Sequence, residues 1–198
     1  MPDAGRVIAG RARGRRLLAP GPGTRPLGDR VKETLFAILE PDLRGALFLD
    51  LFAGSGAGGI EALSRGATRA VFVERDPGAV RTIELNLRRC GLAGDAALVR
   101  GTDARTYLAH DAQGDGPFDV VLADPPYGET ELLSEVLGRL GADREGRLVR
   151  PGGRVVAKHF WRAAPPRAVG LLASERERRF GESALTFYRR KESEQEDG

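Results

Sequence analysis

The strongest constraint on this chain is an alternation. The short apolar runs "ALFLD" (46–50), "AVFVE" (70–74), "AALVR" (96–100), "FDVVLAD" (118–124) and "GRVVAKH" (153–159) are separated mainly by helical stretches. Those stretches include "GGIEALSRG", "PGAVRTIELNLRRCG" and "TELLSEVLGRL"; in the second, Pro77 sits near the start and Gly91 past the end, as helix boundaries favour. Strands alternating with helices require crossovers, hence a mostly parallel sheet. Strands that read as unbroken apolar runs belong in a sheet covered on both faces. The closing stretch "AVGLLASERERRFGESALTFYRR" predicts two more strands turning at Gly181, with no helix between, so an antiparallel edge to a seven-stranded sheet. Ahead of the alternation, "RVIAGRARGRRLLAP" reads as a short β-hairpin arm and "GPGTRPLG" as a linker. "DRVKETLFAILE" reads as a helix with Asp29 as N-cap and Pro41 after its stop. The expected organisation is a basic arm over 1–20, one α/β domain over 21–190 and a disordered acidic tail over 191–198.

Composition narrows the setting. Of 198 residues, 41% are hydrophobic and 30% charged, an ordinary soluble balance. No apolar run approaches the roughly 20 residues that span a bilayer, and "MPDAGRVIAGRARGRR" lacks the apolar centre of a secretory signal. Cys90 is the only cysteine, which excludes an internal disulfide; a cytoplasmic protein, without membrane association, is expected. Net charge is +3, and the lysines are only Lys32, Lys158 and Lys191. Arg6, Arg11, Arg13, Arg15 and Arg16 crowd one segment free of acids, a footprint suited to phosphates.

"LFLDLFAGSGAGGIEAL" spaces Gly54, Gly56 and Gly59 as G-x-G-x-x-G. Such a loop admits a ligand close to the backbone, and Glu74, 20 residues beyond Gly54, can accept from ribose hydroxyls. On spacing alone a dinucleotide fold is open. Asp50, however, closes the strand with three residues between it and the first glycine, where it would repel a pyrophosphate and suit an ammonium. S-adenosylmethionine carries an ammonium, an adenosine and no phosphate. Asp103, in "RGTDARTYL", can accept from the adenine amine. The plainer role for Asp50 and Asp103 is to cap turns or helices.

"DPPY", Asp124 to Tyr127, ends the fourth strand, where ligands of open parallel sheets bind. Pro125 and Pro126 remove two backbone donors and bias the preceding residues toward extended conformations. An edge of acceptors remains, the Asp124 carboxylate and the Pro125 carbonyl, and it matches an amine with two N–H groups. An exocyclic nucleobase amine is a poor nucleophile, and such acceptors can aim its lone pair at a methyl sulfonium. Tyr127 offers a stacking face to a base swung out of its helix.

These residues resemble the class I S-adenosylmethionine-dependent methyltransferases of Rossmann-like fold that carry a D/N-P-P-Y/F motif. "RVIAGRARGRRL", "TRPLGDRVKETLF", "LDLFAGSGAGGIEALSRGA", "DPPY" and "GESALTFY" are similar, in order, to blocks of the RsmD family. That family methylates N2 of a guanine in 16S ribosomal RNA of the small ribosomal subunit. The resemblance implies cofactor binding by Asp50, Phe52, Gly54, Ser55, Gly56, Glu74, Arg75, Asp103 and Ala104, with Thr24 and Arg25 at the entrance. It implies a catalytic Asp124, Pro125, Pro126 and Tyr127, RNA contacts from Arg11, Arg13, Arg15, Arg16 and Arg30, and S-adenosylhomocysteine as product. A monomer without metal is expected. Leu27 departs from the threonine common after the family's Arg-Pro pair.

Other readings stay open. They are an adenine-N6 methyltransferase on RNA or DNA, a nucleotide-dependent oxidoreductase, and a non-catalytic RNA-binding assembly factor. His110 and His159 have no metal-ligand spacing, and Trp161 suits RNA contact or packing equally.

Overall fold

A computed structural model describes residues 3–21, 27–126 and 128–192. The expected roles of Thr24, Arg25 and Tyr127, and the tail beyond 192, lie outside the described residues. The apolar runs form β3 (Leu47–Leu51), β4 (Arg69–Val73), β5 (Ala97–Arg100), β6 (Phe118–Ala123) and β7 (Val149–Phe160). They pair in parallel in the order β5-β4-β3-β6-β7. Continuing from β7 come three antiparallel strands, β10 (Ser183–Arg190), β9 (Leu172–Phe180) and β8 (Ala168–Val169). The seven expected strands are thus present, and the two-residue β8 makes an eighth.

Alternation of side chains across each strand divides the interior into two layers. On one face, Phe48, Phe72, Val120 and Leu122 meet α1 (Asp29–Leu43), α2 (Ala57–Ser64) and α3 (Pro77–Cys90). On the other, Leu49, Val71, Val121 and Val155 meet α4 (Ala104–His110), the short α5 (Ala112–Asp115) and α6 (Thr130–Gly141). Asp50 shares the Phe48 face and so points under α2.

Two boundaries differ from expectation. Gly28, not Asp29, occupies the N-cap of α1, and the helix runs through Pro41 to Leu43. Asp29 is instead drawn into ion pairs with Lys32 (3.2 Å) and Arg6 (3.6 Å). The polar stretch "AHDAQGDG" is largely helical. Its Asp115 is buried and accepts from Arg100 and the Tyr107 hydroxyl.

The arm is a hairpin of β1 (Asp3–Arg6) and β2 (Arg16–Leu18), too small to stand alone. Buried polar side chains dock it. The Glu61 carboxylate accepts from Ile8 N (2.7 Å) and Ala9 N (3.0 Å), and the Lys32 ammonium donates to Arg6 O. Asn86, fully buried, exchanges bonds with Leu18 N and O and donates to Ser55 O in the glycine loop.

Candidate active site

Chain order reverses between β3 and β6, because β4 and β5 extend the sheet one way and β6 and β7 the other. Ligands collect at the carboxyl side of such a switch point. A cavity of about 570 Å³ opens there. Its lining includes Asp50, Phe52, Gly54, Ser55, Glu74, Arg75, Asp103 and Ala104, together with Asp124, Pro125 and Pro126. One cavity therefore joins the described cofactor candidates to the acceptor motif, Gly56 excepted.

The glycine loop is shaped by backbone needs. Gly56 caps α2 at φ 77°, a left-handed conformation that L side chains rarely adopt. A Cβ on Gly59 would lie 2.3 Å from the Phe72 ring, so only glycine lets α2 approach the sheet this closely. Phe52, at φ 66°, is the one non-glycine residue at positive φ among those described, a costly conformation for a bulky side chain and one concentrated at functional sites.

The carboxylates have distinct environments. Asp50 accepts from Gly59 N (2.8 Å) and is almost wholly buried. Burial pushes its pKa up to about 8; the Gly59 bond opposes this, and the charges of Asp124 and Glu74 add to it. A carboxyl so short of compensation holds its proton unless a cation comes to stand beside it. Glu74 accepts from Gly54 N (2.8 Å) and Asp76 N (2.9 Å), which ties β4 to the glycine loop. Asp103 is the N-cap of α4 and accepts from Arg105 N. Desolvation works against its charge, but the Arg105 guanidinium and backbone donors overcome it and hold the carboxyl below its usual range. It thus both caps a helix and faces the cavity.

Arg75 lies 3.9 Å from Asp103 and 3.7 Å from Glu129, spanning the mouth. Among the described residues the lining carries six carboxylates against one arginine, one lysine and one histidine. Such a field disfavours a pyrophosphate and fits an ammonium-bearing nucleoside.

Asp124 follows β6 directly. Because Ala123 pairs with Ala157, the next residue on β7, Lys158, stands beside it. The Lys158 ammonium donates to both Asp124 oxygens, at 2.7 and 2.9 Å, with each side chain only 18% exposed. Burial raises the Asp124 pKa and Lys158 opposes the rise. Sequence reasoning missed Lys158, although a lone lysine interrupting an apolar strand in an arginine-rich chain was a usable signal. Asn86 gave none, since a polar residue on an amphipathic helix reads as solvated. His159 is buried, with ring nitrogens against Phe160 O and the Thr186 hydroxyl.

The predicted RNA-binding arginines are not brought to the cavity. Arg11, Arg13 and Arg15 are exposed at the hairpin turn, where Arg11 N donates to Ser64 O at the far end of α2. That lies about 10 Å along the helix axis from the glycine loop. Arg16 pairs with Asp3 at 2.7 Å, and Arg30 is exposed on the first turn of α1.

Comparison with known proteins agrees with this geometry. Residues 5–189 match the profile of the family described as "Conserved hypothetical protein 95". The chain is 37% identical over 187 residues to YlbH of Bacillus subtilis, provisionally named an rRNA methyltransferase, covering 94% of this chain and 99% of that one. It is 43% identical over 136 residues to the ribosomal RNA small subunit methyltransferase D of Escherichia coli, covering 68% of this chain and 66% of that one.

The chain belongs to the RsmD family. It is an S-adenosylmethionine-dependent methyltransferase of class I fold. Among solved structures, yhhF of Escherichia coli, provisionally named a methyltransferase, superposes with a TM-score of 0.81 at 34% identity over 94% of this chain and 98% of that one. A Thermus thermophilus protein, TTHA0928, gives 0.75 at 35% identity over 92% and 97%. Among the described residues no helix is long and apolar enough to cross a membrane, and no group of His, Cys, Asp or Glu is placed to hold a metal ion.

Proposed function

We propose that this family member methylates the exocyclic N2 of a guanine in 16S rRNA, acting as a monomer on the small ribosomal subunit. The observation that carries the reading is Asp124: a buried carboxylate bonded through both oxygens to the Lys158 ammonium, in the same cavity as the glycine loop and Asp50. When bound, S-adenosylmethionine supplies an electrophilic methyl group. Asp50 would hold its ammonium, Glu74 its ribose and Asp103 the adenine end, with Phe52, Ser55, Arg75 and Ala104 alongside.

The chain's own residues then act on the nucleophile. A carboxylate has about four acceptor positions, and Lys158 engages two. The remaining positions can accept from a base amine, with the Pro125 carbonyl as the partner acceptor. Guanine suits a carboxylate especially, since N1–H and N2–H are adjacent donors, whereas adenine places the N1 lone pair beside N6. Two acceptors restrain the amine, turn its lone pair toward the methyl carbon and stabilise the positive charge that grows on nitrogen. Tyr127 would stack on the base.

Tritiated methyl transfer to small subunits from a deletion strain, followed by nucleoside analysis, tests the reading. N2-methylguanosine is expected. N6-methyladenosine would transfer the same site to adenine, and no incorporation would refute RNA as substrate.

A further inference from the structure

Docking of the arm leaves the cavity mouth without the cations assigned to RNA phosphates, so another surface must hold the strand beside the target. The carboxyl edge of the antiparallel strands supplies one. β7 ends at Phe160, the chain turns through Trp161 and Arg162, and Trp161 N donates to Glu182 O in the β9–β10 turn. Phe160, Ala163, Glu182 and Ser183 line the cavity holding Asp124, so this turn is part of its rim. The Arg179 guanidinium lies 3.6 Å from the Trp161 ring centre, and that of Arg162 4.8 Å from it. Trp161 is half-buried and both arginines are exposed.

Stacking on an indole holds a guanidinium in place while leaving most of its N–H donors outward. Arg179 spends its Nε–H on Gly181 O, which fixes the plane further. Neighbouring Arg178 bonds only to a main-chain carbonyl, Glu177 O, among the described residues. A core tryptophan needs no such escort, and arginines serving solubility alone need no aromatic platform. Ordered cations on an aromatic at the rim of a base-sized cavity complement the phosphates flanking an extruded nucleotide.

We infer that Trp161, Arg162 and Arg179 form a second RNA-contacting surface, which grips the strand next to the target nucleotide. The inference rests on the proposed RNA substrate. Trp161 presents the stacking face for a neighbouring base, and the two guanidiniums meet its phosphates. Arm and rim then contact the substrate at separate places, the rim being the part that sets the base over Asp124.

The test compares wild type with Trp161→Ala, Trp161→Phe and an Arg162→Gln/Arg179→Gln double variant. Readouts are affinity for a naked 16S rRNA fragment across salt, methyl transfer to small subunits, and thermal stabilisation by S-adenosylhomocysteine as a folding control. Trp161→Ala should weaken RNA binding about tenfold, the scale of a single base–aromatic stack, and raise KM more than it lowers kcat. Trp161→Phe should restore most of this. The double variant should flatten the dependence of log affinity on log salt by roughly 0.7–0.9 for each phosphate no longer neutralised. Unchanged affinity and salt slope in folded variants overturn the inference. So does loss confined to assembled subunits with naked RNA bound normally, because the patch then meets protein. If wild type binds RNA without methylating it, the proposed function fails while affinity still decides the surface.

Discussion

Replacing Lys158 with methionine isolates the interaction on which the chemistry depends. The ammonium makes two short hydrogen bonds to a carboxylate in a largely dry site. Bonds to charged groups contribute about 1.5–3 kcal/mol each, so about 3 kcal/mol of preference for the ionised form is at stake. Burial already drives Asp124 toward its neutral form. Among the described residues, the charged groups lining the same cavity from other elements are Asp50 on β3, Glu74 and Arg75 after β4, Asp103 before α4, Glu129 before α6 and Glu182 between β9 and β10. Of these only Arg75 is cationic, and it is paired with Asp103 and Glu129, so none of them replaces the lysine. Without Lys158 burial drives the carboxyl further toward its protonated form, which presents a donor to the N–H groups it should accept from.

About 3 kcal/mol is roughly two orders of magnitude in the ionised fraction. Single-turnover methyl transfer by Lys158→Met should therefore fall at neutral pH, by at most about 100-fold, and recover by up to tenfold per pH unit as alkali restores the carboxylate. Lys158→Arg should keep most activity and the wild-type profile. The assay is rapid-quench transfer of a tritiated methyl group from about pH 6 to 9.5. A methionine variant as fast as wild type at neutral pH, or faster, would refute the reasoning, since Lys158 would then be a bystander or a competitor for the acceptor. A loss identical at every pH would reduce its role to packing.

Four further outcomes are expected. The raised pKa of Asp50 stabilises the cofactor-free protein below the ordinary carboxyl range, and that contribution is lost as pH rises through about 8; Asp50→Asn should flatten this decline in thermal scans. Because an ammonium requires the ionised carboxylate, affinity for S-adenosylhomocysteine should climb toward pH 8 with net proton release, measured by calorimetry in buffers of differing ionisation enthalpy. Gly59→Ala forces a methyl group against Phe72 and should cost about 1–3 kcal/mol, read as a lower midpoint in urea. Asn86→Ala leaves buried groups of Leu18 and Ser55 unpaired, at about 1–3 kcal/mol each, and limited proteolysis should then cut the arm first.

Local chemistry explains what could be read along the chain alone. Apolar runs and helix-spaced stretches have periods that survive in one dimension, so the parallel sheet, its two-sided cover and the Gly181 turn were all legible. Gly56 was legible too, because a backbone needing positive φ selects its residue type. The placement of Asp124 followed from where β6 stops, while Asp50 lies one residue inside the end of β3.

Only the folded chain could decide which distant groups meet. Register places Lys158 beside Asp124 across 34 residues, and no local pattern encodes a cross-strand neighbour. The arm looked like a phosphate footprint from its arginines, yet the buried Glu61, Lys32 and Asn86 set where it docks by bonding its main chain. Trp161 was ambiguous until Arg179 appeared over its ring. Sequence thus determined the elements and the chemical types at their ends, since these depend on near neighbours along the chain. Tertiary structure decided the partners, because electrostatic and hydrogen-bond pairing depends on distance in space.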